Sequence, residues 1–315
     1  MNMNRVNEVL AAMKSFGKEK YQKGELLSEM FALQEEIVRL TFNEDHAIAG
    51  NLKIWDVERH LVQLNQECGN VADDQIHMFC DGSRTLCNMI KAEISGNRGE
   101  AKAFRTLEFI RTPKVILKNV ELSDENERTE LDAVIITPQM VTIIEVKNTS
   151  KNIFIDEAGD YYLTGEFLRW DCNIGNKMRL KEGLLRKVLM NGGFNDIPIR
   201  SLVVFTNNKI EVHNKYDQVK TCFVSQINHI IENGRSNQAL SENEMNQMES
   251  IIRDAANTEA YLVGFDVEKY KKDFAVTICT LEEASKAREH REGGINSIWN
   301  WLKNLFNKDR VGYVA

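Results

Sequence analysis

Two neighbouring runs of β-branched residues constrain the fold of this chain more than any other feature. The runs cover residues 130–136 and 141–147, and the sequence Thr-Pro-Gln-Met separates them. β-Branched residues favour strands, and two such runs separated by a short segment predict two adjacent antiparallel strands and their turn. Pro-Gln is not the preferred chemistry of a two-residue turn, so we expect a somewhat longer loop. Apolar residues occupy both faces of each run, as in strands that are covered on both sides. We therefore predict an α/β (or α+β) fold in which these strands lie near the centre of a mixed sheet flanked by helices.

Two acidic residues face each other across the predicted hairpin. A turn centred on Pro138 and Gln139 places Asp132 opposite Glu145, and Lys147 lies on the same face two residues further on. Like charges directly opposed in a sheet destabilise it. Charges that continue an apolar, covered face are rare unless they are paired or bind a ligand. The alternative is structural, with Asp132 as a turn residue and the other two on a solvated face; we favour a functional site, with a divalent cation between the carboxylates.

The order acid-x-Asp and then Glu-x-Lys across a hairpin resembles the PD-(D/E)xK nucleases and, within them, the nuclease-related domain (NERD) family. The resemblance begins at residues 96–100, where Gly-x-x-Gly-Glu opens a helix in that family, includes Trp170, and extends to about residue 235. Such domains tend to carry Asn-Pro and then a Gln at the start of the next helix. This chain reads Asn-Ile-Gly-Asn-Lys there, so either Asn176 or Lys177 takes the place of that Gln, or no residue does.

The resemblance implies a restriction-endonuclease-like sheet and a set of site residues. Asp132 and Glu145, with the backbone carbonyl of Val146, would bind Mg²⁺ or Mn²⁺, because hard cations prefer oxygen ligands. Lys147 would lie beside the attacking water, lowering its pKa or stabilising charge on the phosphate. Glu100 would complete the acidic set from the first helix. An alternative for Glu100 is that glutamate early in a helix is favoured by the helix dipole.

Basic residues follow the predicted hairpin. The protein is acidic overall, with a formal net charge of −7, but an acidic protein can bind nucleic acid through a local basic patch. Apolar residues at helical spacing predict a helix over the segment that contains these basic residues. We predict phosphate contacts for Arg169, Lys177, Arg179 and Lys181, with DNA favoured over RNA as the partner. The alternative is an ordinary solvated helix face.

Residues 1–95 differ in kind from this nuclease-like segment. Apolar residues recur there at helical spacing in four runs without proline, which predicts a helical bundle or coiled-coil hairpin. We predict that this module mediates homo-oligomerisation, binds a protein partner or regulates the segment at 96–235. The last segment, 236–315, is predicted to be an α/β extension. It would contain a helix near 241–256, strands near 261–267 and 274–281, and an amphipathic helix over 295–306.

Composition excludes several other classes of protein. No apolar run approaches the length of a membrane span, and the N-terminus lacks the apolar core of a signal peptide. Six cysteines without Cys-x-x-Cys spacing predict reduced thiols in a cytoplasmic protein. We therefore predict a metal-dependent nuclease, with phage (antiviral) defence or DNA processing suggested by analogy alone. The alternatives are an inactive module that binds nucleic acid or a partner, and a helical scaffold whose nuclease-like part is structural.

Overall fold

The structure is a computed structural model that describes residues 3–13, 21–22, 25–42, 51–165, 167–236, 239–257, 259–260 and 265–291. The fold is mixed α/β, and N-terminal helices precede the sheet. The chain divides into two compact units. The first unit combines residues 1–92 with 259–315, and the second unit is residues 93–258.

The predicted N-terminal helices are present. They are α1 (Met3–Ala12), α2 (Glu25–Phe42), α3 (Ile54–Glu67) and α4 (Asp73–Leu107), and a two-residue strand, β1 (Tyr21–Gln22), lies between the first two. Their buried residues recur at helical spacing, as Leu33 and Ile37 do in α2 and Val57 and Leu61 do in α3. Burial of this apolar stripe, more than helix propensity, stabilises such helices.

Helix α4 begins earlier than the sequence motif at 96–100 predicts. The Gly-x-x-Gly-Glu motif at 96–100 was expected to open a helix, but it lies inside this 35-residue helix. No proline interrupts residues 73–107, so nothing in the sequence ends the helix before the motif. Gly99 is required for packing, because a Cβ there would come within 2.7 Å of the Cβ of Asn148, which directly follows the second strand of the predicted hairpin.

The second unit holds the remaining part of α4 and most of the strands. Its elements in chain order are β2 (Val115–Ser123), β3 (Arg128–Ile136), β4 (Val141–Lys147), β5 (Ile153–Ile155), β6 (Tyr161–Leu163), β7 (Leu168–Arg169), α5 (Ile174–Asn191), β8 (Ile199–Phe205), β9 (Val212–Asn214), β10 (Lys220–Phe223), α6 (Ile227–Glu232) and α7 (Glu242–Ala255). Five of these strands form the central sheet in the order β10-β8-β4-β3-β2. Strand β3 is antiparallel to both of its neighbours, β2 and β4, whereas β8 is parallel to both of its neighbours, β4 and β10. Strand β4 is therefore central, as predicted.

The hairpin has the predicted register. Its ladder runs from Ile136 opposite Val141 to Ala133 opposite Ile144. One face of the sheet, with Val134 and Ile143, shares a core with apolar residues of α5 and α7. The other face, with Ala133 and Ile144, packs with Ala103 and Leu107 of α4 and with Ile227 of α6. Helices cover both faces, which explains why the strands are apolar on both sides.

A smaller sheet carries the chain from β4 to α5. Its strand order is β7-β6-β5-β9. Strand β6 is antiparallel to both β5 and β7, and β9 is parallel to β5. The backbone N–H of Trp170 donates to the carbonyl of Tyr161, and that of Ile174 donates to the carbonyl of Gly159. These bonds fix the segment that contains Asp171 and the start of α5.

The C-terminal segment departs from the expected α/β extension. Helix α7 matches the helix predicted near 241–256 and packs in the second unit through Met245, Met248 and Ile252. Strand β11 (Glu259–Ala260) pairs with β1, and α8 (Val267–Arg291) follows in the first unit. The strand predicted at 274–281 is wrong. Tyr270, Phe274, Thr277 and Leu281 are all buried at helical spacing, and this longer period outweighs the short β-like run.

Two other predicted C-terminal elements lie outside the described residues. They are the helix over 295–306 and most of the strand near 261–267. Among the helices that are described, none is both long and apolar enough to span a bilayer.

Candidate active site

The site is built where the β3–β4 hairpin opens. The ladder between the two strands ends at Ala133 and Ile144, so the next residues along, Asp132 and Glu145, are the first beyond it. The Oδ2 atom of Asp132 accepts a hydrogen bond of 2.6 Å from the backbone N–H of Val146. This bond replaces a ladder bond with a side-chain bond and fixes the Asp132 carboxylate beside the end of β4.

Helix α5 brings a lysine between these two carboxylates. The helix begins at the N-cap residue Asn173, whose Oδ1 accepts from the N–H of Asn176. Lys181 lies on its buried face and is only 1% exposed. Its Nζ contacts Oε2 of Glu145 and lies 3.4 Å from Oδ1 of Asp132. The lysine ammonium therefore bridges the two acids that were predicted to share a metal ion.

Two more lysines and a third carboxylate complete the arrangement. The Nζ atoms of Lys147 and Lys177 lie 2.7 and 2.8 Å from Oε1 of Glu145, and Lys147 also pairs with Oδ2 of Asp171. We call the set the carboxylate–lysine cluster; its members are Asp132, Glu145, Lys147, Asp171, Lys177 and Lys181. Three carboxylates face three ammonium groups, so the cluster is formally neutral as it stands.

Aromatic rings bound the cluster on one side. The Lys147 Nζ lies 5.9 Å from the ring centroid of Tyr161 and 6.0 Å from that of Trp170. These two rings pack edge to face with centroids 5.8 Å apart. The cluster opens to solvent on the side of Lys177, which is 33% exposed. Lys177 is therefore the most exposed member of the cluster, and Lys181, at 1%, is the most buried.

The charges within the cluster shift one another's pKa values. Burial acts to raise the pKa of Glu145, but the charges of Lys147, Lys181 and Lys177 outweigh it, so this pKa is lowered. Burial and then the charge of Glu145 raise the pKa of Asp132, against the opposing effect of Lys181. Burial lowers the pKa of Lys147, but Glu145 and Asp171 outweigh this and raise it overall. Glu145 and Lys147 are therefore charged over a wide pH range, whereas the charge on Asp132 carries a cost.

Glu100 is connected to the strand of Asp132 through the side chain of Asn119. With the Asn119 amide oriented so that both of its ends are satisfied, its nitrogen donates to Oε2 of Glu100 at 3.1 Å and to the carbonyl of Asp132 at 3.3 Å. Glu100 thus reaches the backbone of Asp132 through Asn119. In the described part of the chain, no group of three or more His, Cys, Asp or Glu side chains is arranged to hold a metal ion.

The predicted nucleic-acid contacts occupy different environments. Arg169 and Arg179 are exposed; Arg169 pairs with Asp160 at 2.7 Å, and Arg179 donates to Asn176 at 2.5 Å. Lys177, and not Asn176, reaches the cluster from the position where related domains tend to have Gln. Lys181 was predicted on a phosphate-binding face of the helix, but the structure buries it because its position falls in the apolar stripe of α5.

Sequence reasoning missed one member of the cluster, Asp171, and placed another, Lys181, on the surface. Asp171 was not among the predicted site residues, since nothing in its neighbourhood relates it to Lys147. Lys181 had a readable signal: it lies three residues after Met178 and four before Leu185, and both of these are buried. A lysine within an apolar stripe is expected to have an ionic partner, because a buried charge without one is costly.

Comparison with known proteins is consistent with the family resemblance. Residues 95–206 match the family model of the nuclease-related domain, NERD, which is part of the PD-(D/E)xK-like nuclease superfamily. The match includes the hairpin, α5, β8 and all six residues of the cluster, and it covers less than half of the chain. No curated protein matches the chain. No solved structure matches it either. The resemblance is therefore confirmed at the level of the domain family.

The raised pKa of Asp132 predicts how its replacement changes stability. Because the folded-state pKa lies above the unfolded value, the neutral form is favoured, and stability is lost as the pH rises through the folded pKa. We expect Asp132→Asn, in metal-free buffer at neutral pH, to increase the unfolding free energy by an amount on the order of 1 kcal/mol. The gain should shrink as the pH falls towards about 4, where the parent side chain also becomes neutral.

Thermal melting across this pH range measures the effect, with Asp124→Asn as a control of opposite sign. Lys187 and the N–H groups of Asn126 and Glu127 lower the pKa of Asp124 to about 2, so its charge stabilises the fold above the unfolded pKa. Asp124→Asn should therefore not melt higher at neutral pH. A lower melting temperature for Asp132→Asn at neutral pH would show that the two facing carboxylates do not repel.

Proposed function

We propose that the second unit is a metal-dependent nuclease that hydrolyses phosphodiester bonds at the carboxylate–lysine cluster, with DNA favoured over RNA. The observation that supports this most is the convergence of Asp132, Glu145 and Lys147 at the open end of a hairpin, within a nuclease-related domain. Exposed Arg169 and Arg179 lie on β7 and α5, the elements that also supply or flank the cluster. A setting in phage defence or DNA processing is inferred by analogy with the family.

The donor atoms fit Mg²⁺ or Mn²⁺ on one condition. The carboxylates of Asp132 and Glu145 and the carbonyl of Val146 are oxygen donors of the kind that these cations prefer. The condition is that the Lys181 ammonium withdraws from between the two carboxylates. A bound cation would supply an activated water and polarise a phosphoryl oxygen.

Lys147 is suited to stabilising charge more than to accepting a proton. Its pKa is raised by Glu145 and Asp171, so it remains an ammonium group at the pH of the cell. Asp171 and the rings of Tyr161 and Trp170 hold that group in place. A fixed ammonium beside the scissile phosphate stabilises the negative charge that develops there during hydrolysis. Lys177, at the solvent side, would contact the incoming phosphate.

A second candidate is a non-catalytic module that binds nucleic acid or a protein partner. The observation that favours it is the position of Lys181, which contacts both carboxylates without any metal ion. A buried cluster whose charges are already paired requires no catalytic role to be tolerated in the fold. The two candidates differ in whether phosphodiester bonds are cut when Mg²⁺ or Mn²⁺ is added.

We expect the full chain to cut nucleic acid with Mg²⁺ or Mn²⁺ and to stop with EDTA, and we expect Lys147→Ala to abolish cutting while the protein stays folded. The loss should be at least about a hundredfold, since removal of one preorganised charge-stabilising group costs that much in other enzymes. The assay incubates plasmid, linear and single-stranded DNA, and RNA, with each protein. Lys215→Ala is the matched control, because Lys215 is an exposed lysine paired with Glu157.

Full activity of Lys147→Ala, or cutting in EDTA, would contradict the mechanism. Binding of nucleic acid without cutting under all conditions would favour the second candidate.

The exposed arginines should contribute to nucleic-acid affinity through phosphate contacts. Arg169→Ala and Arg179→Ala should each weaken binding of labelled DNA by a similar factor for unrelated sequences. Each should also reduce the slope of log K against log salt by about one unit. Fluorescence anisotropy in EDTA, over a series of salt concentrations, measures both quantities without cleavage. An unchanged salt slope would show that these side chains do not contact phosphates.

We also propose that the N-terminal helices mediate self-association or bind a protein partner. The supporting observation is that two large apolar side chains of α3, Trp55 and Val62, are 56% and 40% exposed. They lie seven residues apart and therefore on the same side of the helix. Exposed apolar side chains that share one helix face favour association with another surface.

Light scattering of the full chain tests self-association. We expect an oligomer whose mass falls towards that of a monomer when Trp55→Glu and Val62→Glu are combined, because two charges would be placed in the apolar contact. Phe109→Glu, at a residue that is 73% exposed in the second unit, is the matched control. A parent protein that is monomeric at all concentrations leaves only the partner-binding form of the proposal. An oligomer unchanged by the double variant places the interface elsewhere.

A further inference from the structure

We infer that Lys181 is an internal cation that competes with a divalent metal ion for the space between Asp132 and Glu145. The cluster would then bind metal only in molecules whose Lys181 ammonium has moved away. The inference takes the identity of the competing ion from the proposed function, but its test does not depend on cleavage.

The geometry of Lys181 carries the inference. Its Nζ contacts one oxygen of each carboxylate, Oε2 of Glu145 and Oδ1 of Asp132, so it occupies the position from which a cation binds both acids. Asp132 cannot easily turn away, because its other oxygen accepts the bond of 2.6 Å from Val146. The other oxygen of Glu145 is likewise occupied, by Lys147 and Lys177. Each of the two carboxylates therefore already has both of its oxygens engaged.

Burial prevents Lys181 from withdrawing freely. Its side chain is 1% exposed, and it follows Met178 and precedes Leu185 on the buried face of α5. A lysine at the surface would exchange its carboxylate partner for water at little cost, whereas an ammonium that leaves these acids within the core has no equal partner. The displaced state is therefore a minor one in the metal-free protein.

Charge balance favours the same conclusion. Asp132, Glu145 and Asp171 are matched by Lys147, Lys177 and Lys181, one ammonium for each carboxylate. Adding a divalent cation to the intact cluster would leave two excess positive charges in a buried region, which is unfavourable. Removal of the Lys181 charge lowers that excess to one and opens the space between the acids.

The expected effect follows from the fraction of molecules in the open state. An apparent dissociation constant equals the intrinsic value divided by the fraction of competent molecules, so a competitor displaced in about 1% of molecules weakens metal binding about a hundredfold. Removing that competitor should therefore tighten metal binding by a factor of at least about ten. The oxygen atoms available to the metal ion are the same in the parent and in the variant.

Lys177 provides a matched control for Lys181. It lies one helical turn earlier on α5 and also contacts Glu145, but it is 33% exposed and contacts Oε1 of Glu145, whereas Lys181 contacts Oε2. Its removal takes the same charge from the cluster without opening the space between Asp132 and Glu145. A general effect of net charge would appear in both variants, and competition for the metal position would appear in only one.

The experiment measures Mn²⁺ binding to the full chain and to Lys181→Met, Lys177→Met and Lys181→Arg. Calorimetric titration gives the dissociation constant, and thermal melting over a series of Mn²⁺ concentrations gives an independent value. We expect Lys181→Met to bind Mn²⁺ at least about tenfold more tightly than the parent. We expect less than half of that gain, on a logarithmic scale, for Lys177→Met. Lys181→Arg keeps the buried cation and should show no gain.

Several outcomes would overturn the inference. Equal Mn²⁺ affinity in the parent and Lys181→Met, including no binding by either, would show that the ammonium does not block a metal site. An equal gain in Lys177→Met would reduce the effect to net charge. If Lys181→Met does not fold without metal, Lys181→Gln, which keeps hydrogen-bond donors but removes the charge, is measured in its place with the same expected gain. The proposed nuclease activity fails separately, if a variant that binds Mn²⁺ tightly cuts no nucleic acid.

Discussion

The buried carboxylate of Glu145 is the group on which the site and much of the second unit depend. It lies on the central strand of a sheet covered by helices on both faces, where an isolated charge would be prohibitively costly. Three ammonium groups offset that cost: one on its own strand, Lys147, and two on α5, Lys177 and Lys181. The position of α5 against the sheet is therefore set by ionic contacts as well as by its apolar stripe.

Local features of the chain make that position possible. Asn173 caps the first turn of α5, and Gly175 admits the side chain of Tyr216, whose hydroxyl would lie 2.2 Å from any Cβ at this residue. On the opposite face of the sheet, Gly99 lets α4 approach the end of β4. Each glycine thus lies where a helix comes close to a side chain of another segment of the second unit. Substitutions at these positions would be expected to disturb the cluster without touching any of its members.

The alternation of side chains was sufficient to predict the hairpin, its register and the central place of β4, because strand geometry follows from a period of two. It was insufficient for α5, where Lys181 was interpreted as a surface residue although its spacing from Met178 and Leu185 places it in the core. The ionic role of Asp171 depends on a short strand pairing that its own neighbourhood does not indicate. Residues 274–281 were predicted to be a strand from a short β-like run. Their structure is instead determined by the helical spacing of buried residues over 267–291.

The division of the chain into units has a consequence for the order in which they form during synthesis. The second unit is continuous in sequence, but the first combines residues from both ends, and β1 pairs with β11 far along the chain. Since a chain emerges from the ribosome N-terminus first, the sheet unit is complete while the helical unit still lacks α8. The N-terminal helices are thus left with an incomplete apolar core until the last part of the chain is made. This interval is the one in which they would be most exposed to chaperones or to the wrong partner.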